Sequence, residues 1–429
     1  MKRITMPSLF FGFAVLLPCA LAAGPAKVEL KENNGKYRLY VDGREFFVRG
    51  AGCEFGSIEK LGQHGANSFR TWRTENGQQS GQQVLDRAQK SGLKVLMGLE
   101  LIPERRGFNY DDPVAVGRQF AEIKEQILKY KDHPALLGWI IGNELNLQAK
   151  NPKVWDAVND VASFIHQADS NHPATTATAG ISRGVVDEIK KRASALDFIC
   201  VQFYGDIVNL QQRLKDAQWE GPYLVTEWGA TGHWEVASTQ WKAPIEETSS
   251  QKAKRFAERY EKAIAADPLR CLGSYVFLWG QKQERTPTWY GMFTQNGEET
   301  ETVDVMHNIW TGSFPSNRSP HVESISLNGQ GAGQSIRVKA ESVLSGAIAA
   351  NDPDGDSLKY TFEIMPESTD LKTGGDFETT PQVLTRVESQ KGTIELKAPA
   401  KEGAYRLFFY VRDGKNHCGT GNIPFFVEK

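Results

Sequence analysis

Cysteine is scarce, charge is nearly balanced, and only one stretch of the chain is apolar for long. There are five cysteines in 429 residues. Their spacing is wide and no C-x-x-C pair occurs, which argues against a zinc site. Cys200 and Cys271 stand in apolar, strand-like runs and read, with Cys53 and Cys418, as buried free thiols. An oxidising compartment permits a disulfide, but the spacing selects no pair. The formal net charge of −2 is too small to point to nucleic acid or an anionic membrane as a partner. The one long apolar run is Ser8–Leu17, with Lys2 and Arg3 before it and Ala20-Leu21-Ala22 after it. That is the pattern of a cleaved signal peptide over residues 1–22, so a secreted or periplasmic location is expected. Cys19 raises a lipoprotein reading, which Pro18 directly before it fits poorly. No later segment has the unbroken apolar length of a membrane span.

What the chain does have is alternation. From Lys27 to about Thr311, short β-prone runs alternate with longer helical patterns, the signature of βα units around a parallel sheet. The strand candidates are Glu45–Gly50, Ala66–Trp72, Leu93–Leu101, Leu136–Gly142, Ala174–Thr178, Leu196–Phe203, Tyr223–Thr226 and Leu272–Trp279. A hairpin precedes them, Tyr37–Val41 turning at Asp42-Gly43, placed to plug a barrel floor. Gly81–Ser91, Pro113–Tyr130 and Gln251–Ala266 carry apolar residues at three-to-four spacing and read as helices. The count and length predict a TIM (β/α)8 barrel over residues 23–312. Residues 313–320, SFPSNRSP, read as a linker. Residues 321–429 lose helical periodicity; Ser335–Val338, Leu358–Ile364, Thr393–Lys397 and Tyr405–Val411 predict a C-terminal antiparallel, Ig-like β-sandwich.

Two apolar strand runs end in a glutamate: Trp139-Ile-Ile-Gly-Asn143 reaches Glu144, and Tyr223-Leu-Val-Thr226 reaches Glu227. Carboxylates at the C-terminal mouth of a parallel barrel sit where such folds place their chemistry. Two of them are the minimum equipment for cleaving a glycosidic bond with retention, one as acid/base and one as nucleophile. Glu144 next to apolar surface would have a raised pKa, which suits an acid. Asn143 is placed to hold a sugar 2-hydroxyl. Glu227 needs donors and positive charge nearby, for which Arg70, ending Asn67-Ser-Phe-Arg70, and Tyr204 are the candidates. Either glutamate taken singly is equally well an ion pair at a strand end.

These residues resemble the clan A retaining glycosidases, which are built on (β/α)8 barrels. There Asn-Glu ends the fourth strand with the acid/base, and a glutamate ending the seventh is the nucleophile. The resemblance carries these roles to Asn143-Glu144 and Glu227, and implies an Arg near the end of strand two at Arg70, a Tyr at the end of strand six at Tyr204, and a Trp flooring the sugar subsite at Trp279. Asp42-Gly-Arg-Glu-Phe-Phe-Val-Arg-Gly50 resembles the opening of family-2 β-glycosidase barrels. The Phe-Val-Arg-Gly string, Gly-Asn-Glu and Tyr290-Gly291 are similar to fungal β-1,3-glucanosyltransferases. The N-terminal sandwich domains usual in family-2 enzymes are absent, and Leu145 stands where many members have Pro. The implied activity is a retaining β-glycoside hydrolase on a poly- or oligosaccharide, a β-glucan first, or a transglycosylase on the same site, with no catalytic cofactor.

Trp72, Trp228, Trp234, Trp241, Trp289, Tyr290 and His233 fall near the mouth and are candidate sugar contacts or ordinary loop packing. Glu54, Glu75, Glu100 and Glu284 are competing carboxylates, expected to be structural or subsite groups. His133 and His172, each before Pro, read as floor-side structure. Asp352-Pro-Asp354-Gly-Asp356 is a surface turn or a structural calcium loop, with Asp413 a further contributor. A reading of another class is a barrel that binds carbohydrate without catalysis.

Overall fold

The computed structural model describes residues 24–429, so the expected signal peptide lies outside the described residues. The chain opens with a three-stranded antiparallel sheet, β1 (Val28–Asn33), β2 (Lys36–Val41) and β3 (Arg44–Phe46). Its two turns, Asn34-Gly35 and Asp42-Gly43, have φ of 53° and 77°, and 50° and 77°. Positive φ at both central residues is what the tight type I′ hairpin requires. Val28 and Tyr37 donate backbone hydrogen bonds to Asn171 and Leu269, just ahead of two barrel strands. Val28, Leu39 and Val41 pack against Val48, Leu224 and Leu272. The sheet thus closes the N-terminal end of the barrel, as expected of the hairpin, with one strand more than was read.

Eight parallel strands form the closed barrel: β4 (Val48–Gly52), β5 (Ser68–Arg70), β6 (Lys94–Leu99), β7 (Leu136–Asn143), β8 (Ala174–Ala179), β9 (Phe198–Gln202), β10 (Tyr223–Glu227) and β11 (Cys271–Val276). Each is followed by a helix: α1 (Ile58–Gln63), α2 (Gly81–Lys90), α3 (Pro113–Tyr130), α4 (Lys153–Ala168), α5 (Arg183–Arg192), α6 (Leu210–Asp216), α7 (Ser249–Arg259) and α8 (Glu301–Thr311). Helix starts follow local chemistry. Ser80 with Gln83 and Thr248 with Gln251 form capping boxes on α2 and α7, and Asp112 caps α3 with Pro113 in its first turn. The eight expected strands are all present. The first candidate run straddles β3 and β4, and the last stops at Val276, short of Trp279.

The C-terminal region is two facing sheets. One holds β12 (His321–Leu327), β14 (Val343–Asn351) and β17 (Thr393–Lys397). The other holds β13 (Ile336–Lys339), β15 (Lys359–Pro366), β16 (Thr385–Ser389), β18 (Gly403–Arg412) and β19 (Cys418–Glu428). Leu344, Phe362, Leu407, Phe409 and Phe425 fill the space between them. The sandwich is antiparallel as expected, apart from one edge where β13 runs parallel to β19. The segment read as a linker is no free spacer: Ser319 is fully buried and its N–H donates to Asp304 Oδ2 at 2.7 Å. Buried Glu246 of the barrel takes Lys252 Nζ at 2.5 Å and Asn422 Nδ2 of the sandwich at 2.6 Å. Among the described residues, Cys53, Cys200, Cys271 and Cys418 are buried free thiols, their pKa pushed up to about 12 by burial.

Candidate active site

At the C-terminal mouth of the barrel, four side chains at the ends of two strands, β5 and β9, converge on one carboxylate. Glu227, the last residue of β10, is almost fully buried. Its Oε1 accepts from Trp72 Nε1 at 3.0 Å, Gln202 Nε2 at 3.1 Å and Arg70 Nη1 at 3.3 Å. Its Oε2 accepts from Tyr204 Oη at 2.9 Å. Arg70 is fully buried; its Nη2 donates to Asn143 Oδ1 at 2.9 Å, and its guanidinium lies 4.6 Å over the Trp72 ring. Asn143 Oδ1 also accepts from Gln202 Nε2 at 2.7 Å. With its oxygen held twice, the amide is fixed so that Nδ2, which has no partner among the described residues, faces the cleft as a donor.

Glu144 is set quite differently. Gly142 and Glu144 both adopt left-handed backbone, φ 68° and 51°, so β7 ends in a sharp turn. A non-glycine residue there is strained, and such strain concentrates at functional sites. Position 142 requires glycine, because a Cβ would lie 2.6 Å from the Leu145 side chain. The Glu144 carboxyl accepts no hydrogen bond from the described residues. Burial first, and then the charge of Glu227, lift its pKa to about 8, against the opposing pull of Arg105 and Arg70. One carboxylate is fixed by four donors and the other is left to hold a proton. Two carboxyls in surroundings this unequal are equipped for different roles.

Both glutamates line a cleft of about 1200 Å³, together with Asn143, Trp72, Tyr204 and His233. Tyr204 packs edge-on against Phe277, Tyr290 and Trp234. His233 lies 3.6 Å from Glu284, which also meets Lys282 at 2.8 Å. Burial pushes the Glu284 carboxyl up, but His233 and Lys282 outweigh it and hold the pKa below the usual value. Glu54 pairs with Arg73, Glu75 with Lys129 and Glu100 with Arg106, so these carboxylates serve ion pairs. His172 is buried against Asp169, which also takes the Trp139 indole N–H, a floor-side structural knot.

Two expected sugar contacts are corrected. Trp228 is fully buried behind the barrel, against Phe256 of α7 and Tyr260. Successive strand residues face opposite sides, so when Glu227 points inward its neighbour points out. Trp279 has no exposed surface; its Nε1 donates to Ser57 O at 3.0 Å and its ring packs on Phe293 and Trp310. Because β11 has already ended, Phe277 is the ring this strand presents to the cleft, edge-on to Trp72. Trp241 packs on Phe426 of the sandwich and Trp289 is buried, its Nε1 on Thr231 O. Gln202 is a site residue that was not singled out. Its signal was available: it lies two residues before Tyr204, hence on the same face, and it is the polar end of an apolar strand. In the sandwich, Asp352, Asp356 and Asp413 bring carboxylate oxygens within 4.8 Å of one another. Lys415 Nζ is 2.8 Å from Asp356, and Asn317 donates to Asp413, so much of that charge already has partners.

A (β/α)8 barrel with two unequal glutamates at its mouth is thus the class that fold and geometry define. No family model matches the chain, and no curated protein matches it in sequence. Among solved structures it is similar to Bacteroides uniformis β-glucuronidase 2 covalently bound to cyclophellitol-6-carboxylate aziridine, at 14% identity and a TM-score of 0.51, over 94% of this chain and 48% of that one. A calcium-binding mutant of the same enzyme gives 14% identity and a TM-score of 0.52 over the same shares. The crystal structure of Bacteroides uniformis β-glucuronidase gives 14% and 0.50, again over 94% and 48%. The chain spans about half the length of these proteins. At such identity the likeness shows the fold.

Proposed function

We propose that this chain is a retaining β-glycoside hydrolase. The observation that carries the reading is the inequality of its two mouth carboxyls: Glu227 is fixed by four donors, one a guanidinium, while Glu144 has no hydrogen-bond partner among the described residues and a pKa of about 8. Glu227 attacks the anomeric carbon while Glu144 gives its proton to the leaving oxygen. Glu144 then takes a proton from water, which displaces Glu227 from the glycosyl-enzyme. Asn143 Nδ2 is the donor available to the 2-hydroxyl, where hydrogen bonding strengthens in the transition state. The N-terminal segment makes the enzyme a secreted or periplasmic one in this reading.

The sugar is the next question. The resemblance to glucanosyltransferases puts β-glucans first on a substrate panel, with product analysis separating hydrolysis from transglycosylation. The likeness to Bacteroides uniformis β-glucuronidase adds β-glucuronides.

Glu144→Ala should lower turnover about a hundred- to ten-thousandfold, with partial rescue by azide on substrates with activated leaving groups. Glu227→Ala should abolish turnover, and a 2-fluoro glycoside should label Glu227 covalently in the intact enzyme. Proton NMR of the first product should show the β-anomer. Full activity of either variant would overturn the assignment. Oligosaccharide binding with no labelling and no turnover would favour the non-catalytic reading instead.

A further inference from the structure

Between β15 and β16 the sandwich sends out a long strap, residues 367–384, that reaches the barrel mouth. Its attachment is specific. Fully buried Glu378 accepts from the Arg285 backbone N–H at 2.6 Å, Arg285 Nη1 at 2.9 Å and the Lys372 N–H at 3.0 Å. Asp376 takes Arg106 Nη2 at 2.5 Å. The carbonyls of Gly374 and Gly375 accept from Arg105 Nη2 at 3.2 Å and Lys282 Nζ at 2.7 Å. Both glycines are left-handed, φ 67° and 71°, and a Cβ on Gly374 would meet the Arg105 guanidinium at 2.7 Å. Lys282 in turn holds Glu284 beside His233. The strap is therefore built into the same cleft as the two catalytic candidates, and Lys372, Thr373, Phe377 and Thr380 line it.

Phe377 is the strap aromatic that points to no packing partner among the described residues and stands in the open. Phe377 is 81% exposed, at the wall of the cleft. Two further aromatics are left in water there: Phe55, after β4, and Trp234, after β10, each 61% exposed. Three large exposed rings lining one cleft are the kind of apolar surface that marks a binding groove, and their flat apolar faces suit the apolar faces of pyranose rings. At about 1200 Å³ the cleft also exceeds the volume that encloses a drug-sized ligand, about 300–1000 Å³.

Accepting the glycosidase reading, we infer that Phe377 is a sugar-stacking platform of a subsite distant from Glu144 and Glu227, donated to the barrel's cleft by the sandwich. The substrate is accordingly a β-linked oligo- or polysaccharide that extends along the cleft, and the sandwich selects for its length.

The test compares the intact protein with its Phe377→Ala variant on 4-nitrophenyl β-glycosides carrying one to five sugar residues. The loss in kcat/KM should grow with chain length, from about twofold or less on one ring to about tenfold on the longest, and should appear in KM. A tenfold change corresponds to about 1.4 kcal/mol. Unchanged thermal stability is expected, since the side chain is exposed. A loss independent of length, or none at any length, would overturn the inference. Glu378→Gln, which weakens the strap's anchor, should give the same length-dependent pattern. If the intact protein releases no nitrophenol, the hydrolase reading fails separately. Calorimetric titration of the same oligosaccharides into Glu227→Gln and into the Glu227→Gln/Phe377→Ala double variant still decides the role of Phe377, by whether affinity for the longer chains drops.

Discussion

Gln202 ties the two halves of the site together, donating through one nitrogen to both Asn143 Oδ1 and Glu227 Oε1. Gln202→Ala should lower kcat/KM about tenfold, the worth of one or two hydrogen bonds to a charged site, while a thermal melt moves little. An unchanged rate would mean that Arg70 alone sets the geometry. Glu144 carries a pH dependence with a definite sign. As the proposed general acid it must be protonated, so kcat/KM should fall as pH rises through about 8, and Glu144→Gln should remove that limb. Stability follows the same group. With a folded pKa of about 8 against a model value of 4.5, the folded state binds more protons than the unfolded one between these pH values, and stability declines as pH rises across the interval. Glu144→Gln should therefore gain on the wild type from about pH 4.5 to 8, by more than about 1 kcal/mol, and hold that gain at higher pH. Denaturant titrations at several pH values would show it; a gap that shrinks with rising pH would contradict the assignment.

The turn at the end of β7 shows how an element positions chemistry. An apolar strand alone would carry Glu144 straight on, but left-handed Gly142 and Glu144 bend the chain so that its carboxyl stands free of the donors around Glu227. Gly142→Ala forces a Cβ against Leu145 and into a backbone region costing about 1–2 kcal/mol. It should lower kcat by a larger factor than its loss of stability accounts for, because the displaced residue is the proposed acid. Normal kcat with a lowered melting temperature would reduce the turn to a packing feature. Strand alternation explains the corrected Trp228 in the same terms. Position 228 follows an inward glutamate and so faces out, whereas Trp72, two residues after inward Arg70, reaches Glu227.

For the whole molecule, the barrel and the sandwich share buried polar contacts. Glu246, Lys252, Thr286 and Asn422 form one such knot, and Glu299 meets Lys60, His64 and sandwich His417 in another. Lys252→Met leaves Glu246 without its cation in a dry interface, a loss of about 3–5 kcal/mol. Calorimetry should show one transition for the wild type and a lower or split transition for the variant; two separate wild-type transitions would refute the coupling.

Much of this was legible in the chain. Period-two and three-to-four patterning located eight barrel strands and the main helices, and strand-end positions singled out Glu144, Glu227, Arg70, Asn143 and Tyr204, because local preference and burial leave an imprint on neighbouring residues. What patterning lacks is any record of contacts between distant segments. The donation of Gln202 to two strand ends, the burial of Trp228 and Trp279, and the docking of Glu378, which carries Phe377 to the barrel mouth, each depend on how separate elements pack. Tertiary structure alone decided them, since the energies that set them are paid between residues 25 to 222 positions apart rather than along one element.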